Sequence, residues 1–435
     1  MRKLFVGGFG LVGAVMLLWA AAGAGPVEQQ GKKGAKKGEP QSNCVKCHSQ
    51  SSPNIVGDWK LSKHHENGID CSVCHGDDHK TATDYAKAKI PTPDTCAQCH
   101  PNQVSQFMEG KHSKAWVVMK AMPTIHYQPM LLTEGMKGCG GCHKIGVKSE
   151  ADVKEMMKSG ATQFGLASCD SCHTRHSFSK KEAQQPQACQ TCHMGFDHPQ
   201  WEMYSASKHG VRNGLKQSGQ LPASASAPTC QTCHMPEGHH GVKTAWGFLA
   251  VKLPLPEDKQ WAADQVAILQ GLGVLDPDGK PTGRVEAVKA ADVARLTQAD
   301  WQVQRDKMVK ICSKCHSTNF AKGELSKGDN MIKEADRLMA EGINIVAGLY
   351  KDGILEKPAG YAHKFPDLLA FHDAATPIEQ TLFTMFLEHR MRAFQGTFHA
   401  NPDYALWYGW SAMRTDLTEI KQIAKELREK HAASH

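Results

Sequence analysis

The sequence predicts a mainly α-helical chain with little sheet, long C-terminal helices and an interior filled largely by the groups that its motifs bind. Three observations lead to this fold class. All 16 cysteines of the 435-residue chain fall into eight Cys-x-x-Cys-His motifs. Seven motifs lie between Cys44 and His240, which leaves little polypeptide around each one. Beyond His316 the chain carries helix caps and apolar residues at helical spacing, so we expect short helices and loops first and longer helices after them.

The eight motifs indicate haem attachment. Cys-x-x-Cys-His is the signature of a c-type haem, whose porphyrin is held by both cysteines and whose iron is bound by the histidine. A disulfide framework or a zinc array would not require histidine directly after each second cysteine. The sequence therefore predicts eight c-type haems. The attachment cysteines are Cys44, Cys47, Cys71, Cys74, Cys96, Cys99, Cys139, Cys142, Cys169, Cys172, Cys189, Cys192, Cys230, Cys233, Cys312 and Cys315, and the proximal histidines are His48, His75, His100, His143, His173, His193, His234 and His316.

The remaining histidines are candidates for the second ligand of each iron. Of 24 histidines, eight belong to motifs and 16 remain. Ser62-Lys63-His64 and Ser207-Lys208-His209 repeat one small pattern, and Gly110-Lys111-His112 resembles it. Taken singly, each histidine is as readily a solvated or capping residue as a ligand, and the repetition favours ligation. The candidates are His64, His79, His112, His176, His209 and His240.

The N-terminal segment indicates export. Residues 1–24 combine a basic start, an apolar run and small residues at Ala22 and Ala24, which is typical of a cleaved secretory signal. The run is also long enough to stay as an anchor, and no later segment is apolar enough to span a membrane. Residues 25–43 form a flexible Gly/Lys-rich linker. We expect an octahaem-binding domain over 44–316, a C-terminal helical region with an oligomerisation helix over 317–435, and a periplasmic location.

The formal charge of +7 gives no reason to expect a nucleic acid partner. Residues 1–40 carry six Lys/Arg and two Glu, so they contribute +4 and leave +3 for the rest of the chain. The propionates of the haems would lower that remainder further.

Three local patterns predict element boundaries. The run from Asp276 to Gly283 is rich in turn residues. Thr297, with Asp300 as a capping-box partner, begins a helix that runs into the last motif. Thr376, Pro377 and Glu379 begin another, which Gly396 can end.

The final segment carries a heptad seam. Its apolar residues alternate in steps of four and three, and they are Leu406, Trp410, Met413, Leu417, Ile420, Ala424 and Leu427. Two interpretations stay open here: a contact between subunits, or a helix that lies along its own domain.

One motif is our candidate for a reaction site. Cys139-Gly-Gly-Cys142-His143 contains glycines that allow close approach, and no histidine follows it until His173, itself a motif residue. An enzyme needs one iron with an open position and nearby groups that move protons, whereas an electron conduit caps every iron twice. The absence of a near ligand is weak evidence, because ligands commonly come from distant segments.

Asp197 and His198 form an adjacent acid and imidazole after the sixth motif. From the residues alone, the more ordinary interpretation is that one of them caps the helix that begins at Pro199.

Several segments resemble the octahaem hydroxylamine oxidoreductase family, and the similarity covers the chain after the linker. They are DHPQWEMYSASKHGVRNG, APTCQTCHMPEGHH, TAWGFLAVKLPLPEDKQWAADQ and GTFHANPDYALWYGW. The resemblance implies a mostly helical homotrimer with a five-coordinate catalytic haem at the fourth motif, held by His143, and seven bis-histidine haems. It also implies that Asp197 and His198 take and relay protons, and that His399 is a distal ligand, as in the related pentahaem nitrite reductases.

A tyrosine separates the two directions of catalysis in this family. Oxidising members carry a tyrosine, from a neighbouring subunit, that is bonded to the catalytic porphyrin, and members that run reductively lack it. Tyr404 and Tyr408 in NPDYALWYGW are the candidates here, with Tyr404 preferred. Without the resemblance, both would be ordinary core or rim aromatics.

The resemblance implies a nitrogen-cycle enzyme of nitrification. It would oxidise hydroxylamine to nitric oxide or nitrite and pass electrons through the bis-histidine haems to an external c-type cytochrome. Hydrazine oxidation and the reduction of nitrite to ammonium are the alternatives within the family. A non-catalytic electron conduit with eight six-coordinate haems is the alternative outside it.

Overall fold

The computed structural model of the chain describes residues 42–121, 139–158, 168–247, 249–359, 361, 363, 365–370 and 374–434. The expected signal and the linker up to residue 41 lie outside the described residues. Within these ranges the chain is helical, and its β-structure consists of two isolated bridges, Lys252 with Arg295 and Leu275 with Pro281. The predicted mainly α-helical fold is confirmed.

Short helices come first and long ones follow. The α-helices of the described residues are α1 (Asn43–Ser51), α2 (Pro53–Lys60), α3 (Lys63–Glu66), α4 (Cys71–His75), α5 (Pro93–Ala97), α6 (Pro101–Glu109), α7 (Ala115–Ala121), α8 (Cys139–His143), α9 (Glu150–Lys158), α10 (Lys180–Ala183), α11 (Gln187–Gln190), α12 (Gln200–Ala206), α13 (Lys208–Gln217), α14 (Cys230–His234), α15 (Lys259–Gly271), α16 (Arg284–Ala291), α17 (Gln298–Cys312), α18 (Thr318–Lys351), α19 (Pro377–Thr384), α20 (Met391–Phe398), α21 (Pro402–Ala405) and α22 (Ala412–Ser434). Turns of π-helix join α19 to α20 (Met385–Arg390) and α21 to α22 (Leu406–Ser411).

The long helix α18 organises the C-terminal half. It packs against α15, α20 and α22, and its Ala335, Leu338 and Ile343 are fully buried in one apolar cluster. Complete burial of a leucine or isoleucine side chain contributes about 1.5–3 kcal/mol, so this helix is a main source of stability. The same cluster includes residues between Trp246 and Ala294, which places part of the helical core upstream of the expected boundary at residue 317.

A buried ion pair fastens the segment around residue 250 to this core. The Arg390 guanidinium donates to the Asp336 carboxylate at 2.6 and 2.9 Å, and both side chains are almost completely buried. Arg390 also donates to the carbonyl oxygens of Leu249 and Ala250, at 2.7 and 3.1 Å. Because each of the three guanidinium nitrogens has an acceptor, burial of the cation is compensated.

The predicted boundaries hold for two helices and fail at one end. Thr297 caps α17, accepting from the N–H of Asp300, and the helix reaches Cys312. Thr376 caps α19 in the same way. Gly396, expected to end this helix, lies inside α20 instead, where a Cβ would come within 2.5 Å of the backbone nitrogen of Ala405. The glycine allows the following turn to pack closely; it does not stop the helix.

The heptad seam packs within its own chain. Met413, Leu417, Ile420 and Ala424 are buried in the apolar cluster that contains α18. Of the two interpretations left open, the helix along its own domain is the one observed for this stretch. Leu406, at the start of the seam, is 44% exposed and lies outside this packing. Among the described helices, none is long and apolar enough to cross a membrane.

Candidate haem sites and proton-handling pair

Each motif forms about one helical turn, which brings its two cysteines and its histidine to one side. Positions i, i+3 and i+4 of a helix share a face. The backbone N–H groups of His100, His193 and His316 donate to the carbonyl oxygen of the first cysteine in their motifs, at 2.8, 2.9 and 2.9 Å. The motif spacing therefore aims two thiols and an imidazole at one region of space.

Seven motif histidines each face a second imidazole from elsewhere in the chain. The pairs, with the distance between ring centroids, are His48 and His79 (6.1 Å), His75 and His176 (6.2 Å), His100 and His64 (6.2 Å), His173 and His240 (6.3 Å), His193 and His112 (6.0 Å), His234 and His399 (6.3 Å), and His316 and His209 (6.2 Å). The non-motif partners are the seven histidines that the sequence and the resemblance named.

This separation suits a metal ion between the two rings. A bond from a metal to an imidazole nitrogen measures about 2 Å, so two such bonds in line, with half a ring beyond each nitrogen, separate the centroids by about 6 Å. Ordinary aromatic pairs are spread over about 4.5–7 Å, whereas all seven pairs here fall within 6.0–6.3 Å.

Hydrogen bonds to Nδ1 and burial prepare several of these rings for metal binding. Nδ1–H of His75 donates to the Lys89 carbonyl at 3.1 Å, and Nδ1–H of His399 donates to the Gln395 carbonyl at 2.8 Å. With Nδ1 engaged, Nε2 is left for the iron. Burial lowers the pKa of His193 to about 3 and that of His234 to about 4, so both imidazoles are neutral, as a ligand must be.

His143 differs from the other motif histidines. Within the part of the chain that the structure describes, no second imidazole faces it across a comparable gap. Its Nδ1–H donates to the carbonyl of Ala115 at 2.9 Å, which fixes the ring as a proximal ligand would be fixed. Among the described residues, His143 is therefore the motif histidine that has a fixed ring and no facing imidazole.

A close approach of two backbones holds His143 in place. Gly146 lies so near α7 that a Cβ there would stand 2.1 Å from the backbone nitrogen of Trp116. The Val147 N–H donates to the Ser113 carbonyl at 2.9 Å. Lys148 Nζ lies 5.0 Å from the Trp116 ring centroid and donates to the Gly146 carbonyl at 2.8 Å. Sequence reasoning missed these supports, because a carbonyl acceptor and a glycine contact leave no motif.

Asp197 and His198 form a hydrogen-bonded pair beside the fourth motif. His198 Nδ1 bonds the Asp197 carboxylate, and Nε2–H donates to the Cys192 carbonyl at 2.6 Å. Burial alone would lower the pKa of His198, but the hydrogen bond and charge of Asp197 outweigh burial, so the pKa of His198 is raised. Two acceptors also match the two N–H donors of a protonated imidazole.

The capping interpretation of Asp197 and His198 is wrong. Helix α12 begins at Gln200, and its N-cap residue, Pro199, supplies no side-chain hydrogen bond. The Asp197 carboxylate bonds His198 Nδ1, and His198 Nε2 bonds the Cys192 carbonyl, so neither side chain caps α12.

Contacts between thiols, which occupy the positions of thioether sulfurs, give the order of the sites. With motifs numbered along the chain, adjacent thiols join motif 3 to motif 5 (Cys96 and Cys169), motif 6 to motif 4 (Cys192 and Cys142), and motif 6 to motif 7 (Cys189 and Cys230). Neighbouring thiols also join motifs 1 and 2, 2 and 3, 5 and 6, and 7 and 8. The sites therefore follow the order 1, 2, 3, 5, 6, 7, 8, and motif 4 branches from motif 6.

A pair of glutamines connects two of the imidazole pairs. Nδ1–H of His193 donates to the side-chain oxygen of Gln200 at 3.2 Å, and the Gln200 amide donates to the side-chain oxygen of Gln395 at 3.1 Å. The Gln395 carbonyl accepts from His399. Ligands at motifs 6 and 7 thus share one hydrogen-bond network, which sequence reasoning also missed because its members are 195 residues apart.

The cavity between these side chains fits c-type haems. Residues of all eight motifs line a continuous space of about 3030 Å³ whose walls also carry many aliphatic side chains. Arg295 and Arg305 are buried beside it, and the Nε atom of each has no hydrogen-bond partner. Buried guanidinium donors without acceptors suit carboxylates such as haem propionates.

Tyr404 and Tyr408 lie together at the surface end of the heptad seam. Their ring centroids are 5.1 Å apart, and neither side chain lines the cavity of its own subunit. Tyr408 is 54% exposed, beside Trp407 at 65%. Burial, and after it the charge of Glu202, raise the pKa of Tyr404.

Comparison with protein families identifies the class of the chain. A family model described as seven times multi-haem cytochrome CxxCH matches residues 67–253 and 284–360. A second model, described as cytochrome c554 and c-prime, matches residues 20–76. Together these matches indicate a multihaem cytochrome c.

Relatives and solved structures agree with that class. A probable nitrite reductase–hydroxylamine oxidoreductase fusion protein of Kuenenia stuttgartiensis is 27% identical over 88% of this chain, which spans 51% of that relative. A reducing HAO-like protein complex of the same organism superimposes with a TM-score of 0.65 at 22% identity, covering 90% of this chain and 86% of the other. A hypothetical multiheme protein gives 0.61 at 20% identity, covering 89% and 96%.

The chain thus covers about half the length of its curated relative and nearly the whole of two solved multihaem folds. The repeated motifs, the paired imidazoles and the family match all indicate a multihaem cytochrome c. The chain belongs to the multihaem cytochromes c, and it is similar to proteins described as hydroxylamine oxidoreductase-like.

Proposed function

We propose that this haem oxidoreductase binds eight c-type haems and oxidises hydroxylamine at the one attached to Cys139 and Cys142, with His143 as proximal ligand. The observation that carries the proposal is the contrast between seven facing imidazole pairs and His143, which faces none among the described residues. The seven non-motif histidines of those pairs are the proposed distal ligands.

Position and bonding support Asp197 and His198 as the proton acceptors. Oxidation of hydroxylamine to nitric oxide releases protons and electrons in equal number, and the haem, when bound, supplies the site that binds the nitrogen and accepts the electrons. Asp197 interacts electrostatically with the Cys142 thiol and so lies beside the fourth motif. His198 Nδ1 is hydrogen-bonded to the Asp197 carboxylate, so a proton taken up by either group is shared between them.

The order of the sites supports a route for electrons away from the fourth motif. Cys142 touches Cys192 of motif 6, and from motif 6 the contacts lead towards motif 8 in one direction and motif 1 in the other. His112 faces His193 of motif 6, and the Ala115 carbonyl supports His143 of motif 4. One short segment therefore contacts both sites of the first electron transfer, from motif 4 to motif 6. An external c-type cytochrome would receive the electrons.

Reduction of nitrite is the second candidate, and two observations favour it. The relative and the structural neighbour are described as a probable nitrite reductase fusion and as a reducing complex. The pKa of His198 is raised, which favours the protonated imidazole, the form that donates a proton to a bound nitrogen oxide. The oxidative assignment depends on Tyr404 or Tyr408 reaching the porphyrin of a neighbouring subunit in a homotrimer of periplasmic protein.

Three measurements decide between these functions: turnover, ferric resonance and peptide mapping. Protein made by its native host should turn over hydroxylamine with an added acceptor cytochrome, more slowly turn over hydrazine, and show one high-spin ferric iron by electron paramagnetic resonance. Peptide mapping should find Tyr404 or Tyr408 modified. No hydroxylamine turnover, with both tyrosines unmodified, would replace this proposal by the reductive one, and eight low-spin irons would leave only an electron conduit.

A further inference from the structure

The end of the site order at motif 8 has a charge pattern unlike that at motif 1. Residues 208–217 and 307–322, which carry His209 and His316, contain seven Lys and Arg and no Asp or Glu. Residues 42–90, which carry motifs 1 and 2, contain six Lys and six Asp or Glu. The two ends therefore present different electrostatic surfaces to a partner.

Six of these seven cations are exposed, and they come from segments that meet at motif 8. His209 and His316 face each other at 6.2 Å, which brings the start of α13 beside the end of α17 and the start of α18. We call the exposed basic and apolar side chains around this pair the His316 surface, and its residues are Lys208, Val211, Arg212, Leu215, Lys310, Lys314, Phe320 and Lys322.

An apolar centre lies within this basic surface. Phe320 is 50% exposed and stacks on the His316 ring, with centroids 4.8 Å apart. Val211 and Leu215 are 48% and 37% exposed on α13. Small apolar patches with charged rims are typical of transient electron-transfer interfaces, which bury less than about 1,200 Å² in total.

Few acidic groups of this protein neutralise the His316 surface. Glu237 reaches Lys314 at 3.2 Å and is itself 84% exposed. Glu324, further along α18, pairs with Lys327. Among the described residues, none of the other cations named above forms an ion pair with a carboxylate, so a partner with acidic side chains would complement them.

We propose that the His316 surface is the docking site for a redox protein whose own redox centre lies within an acidic face. One electron passes per encounter, lost by this protein and gained by the ferric iron of the partner. The inference rests on the proposed function for the partner's redox role, whereas its binding test needs no hydroxylamine turnover and so fails or succeeds independently.

The test compares one probe in two charge states. Mitochondrial cytochrome c is basic, and its succinylated form is acidic with the same fold. The fully haem-loaded protein should bind the acidic form at low ionic strength and lose most of that affinity in high salt, because exposed charges are screened over about 3–10 Å. It should bind the basic form weakly under both conditions.

Charge reversal locates the surface. Lys310→Glu with Lys322→Glu should weaken binding of the acidic probe, and slow its reduction by chemically reduced protein, at least about tenfold. The control, Lys60→Glu with Lys87→Glu, makes the same charge change near motifs 1 and 2 and should change either quantity by no more than about twofold. An unchanged haem spectrum establishes that both variants are folded.

Three outcomes would overturn the inference. Equal binding of both probe forms would remove the charge argument. A larger loss in the control variant than in the Lys310/Lys322 variant would move the docking site to the other end. A change of oligomeric mass in the Lys310/Lys322 variant would assign the surface to a contact between copies of this chain.

Discussion

Asp197 is the residue whose replacement separates proton transfer from haem binding. Asp197→Asn keeps the size of the side chain and removes the charge that holds the His198 proton. Loss of a general acid or base costs about 10²–10⁴ in rate. We expect hydroxylamine turnover to fall within that range, while the absorption and ferric resonance spectra stay unchanged.

Asp78→Asn is the matched control for this variant, because Asp78 is an exposed acid near motif 2. Full activity in Asp197→Asn would show that the pair does not handle protons, and a changed high-spin signal would show that Asp197 positions the haem instead.

Gln200 offers a test of the hydrogen-bond network between motifs 6 and 7. Gln200→Leu removes the acceptor for Nδ1–H of His193, so the ligand donates less electron density and the reduction potential of one haem should rise. Gln200→Glu replaces the amide by a carboxylate and should shift the same potential downwards. Spectroelectrochemical titration measures both, and shifts of equal sign would contradict the network.

The residue types were predictable from sequence, and their partners were not. Seven non-motif histidines could be named from a repeated tripeptide, short spacings after motifs and one family resemblance. Their pairing with motif histidines could not be predicted, because the partners are far apart in sequence. His112 faces His193 across 81 positions, and His234 faces His399 across 165 positions. From the residues alone, the Asp197–His198 pair resembles a helix cap, since an acid shortly before a proline is typical of one.

The elements of the C-terminal half depend on packing as much as on local signals. Thr297 and Thr376 cap their helices as expected because capping is a local interaction. Gly396 was expected to end a helix and lies inside one, because a glycine inside a helix looks in sequence like a glycine that ends one. The heptad seam left two interpretations open, because what decides between them is the neighbouring helix.

At the start of α19, Glu379 makes this half of the molecule sensitive to acid. Its carboxylate accepts hydrogen bonds from Tyr350, from Thr376 at 2.8 Å and from Lys357 at 3.1 Å. Burial alone would raise its pKa, but these partners outweigh burial and the pKa of Glu379 is lowered. A lowered pKa means that the stabilisation is present above the unfolded value, about 4.3 for Glu, and is lost as pH falls below it.

Glu379→Gln should therefore destabilise the protein by about 1.5–3 kcal/mol at neutral pH, as expected for loss of hydrogen bonds to a charged group. The difference in unfolding free energy from wild type should shrink below about pH 4. Thermal unfolding at several pH values measures it. Glu429→Gln, an exposed acid on α22, serves as control, and a difference that grows in acid would refute the sign of the pKa shift.

On the scale of the whole molecule, the haem-bearing half and the helical half are joined by buried polar and apolar contacts. Arg390 ties the segment at residue 250 to α18 through Asp336, and Gln395 and His399 extend from α20 towards motifs 6 and 7. The helical half therefore contributes a proposed iron ligand and a supporting amide, so the two halves form one functional unit despite their different cores.

The surface at Leu406, Trp407 and Tyr408 is where we expect subunits to meet. A close approach at Gly409, where a Cβ would lie 2.5 Å from the backbone of Ala393, turns these three side chains outwards at 44%, 65% and 54% exposure. Adjacent exposed aromatic residues mark interaction sites far more often than single exposed leucines do. Trp407→Asp should therefore convert the assembled protein to monomers in analytical ultracentrifugation.

The same variant tests whether assembly and tyrosine modification are linked. Val303→Asp, which places the same charge at a 51% exposed site on α17, should leave the mass unchanged. If the tyrosine bonds to the porphyrin of a neighbouring subunit, the Trp407→Asp monomer should lose both the modified peptide and hydroxylamine turnover. Its low-spin haem spectrum should persist, because the seven imidazole pairs lie within one chain. A monomer that still carries the modified tyrosine would place the cross-link within the subunit and remove the reason for assembly.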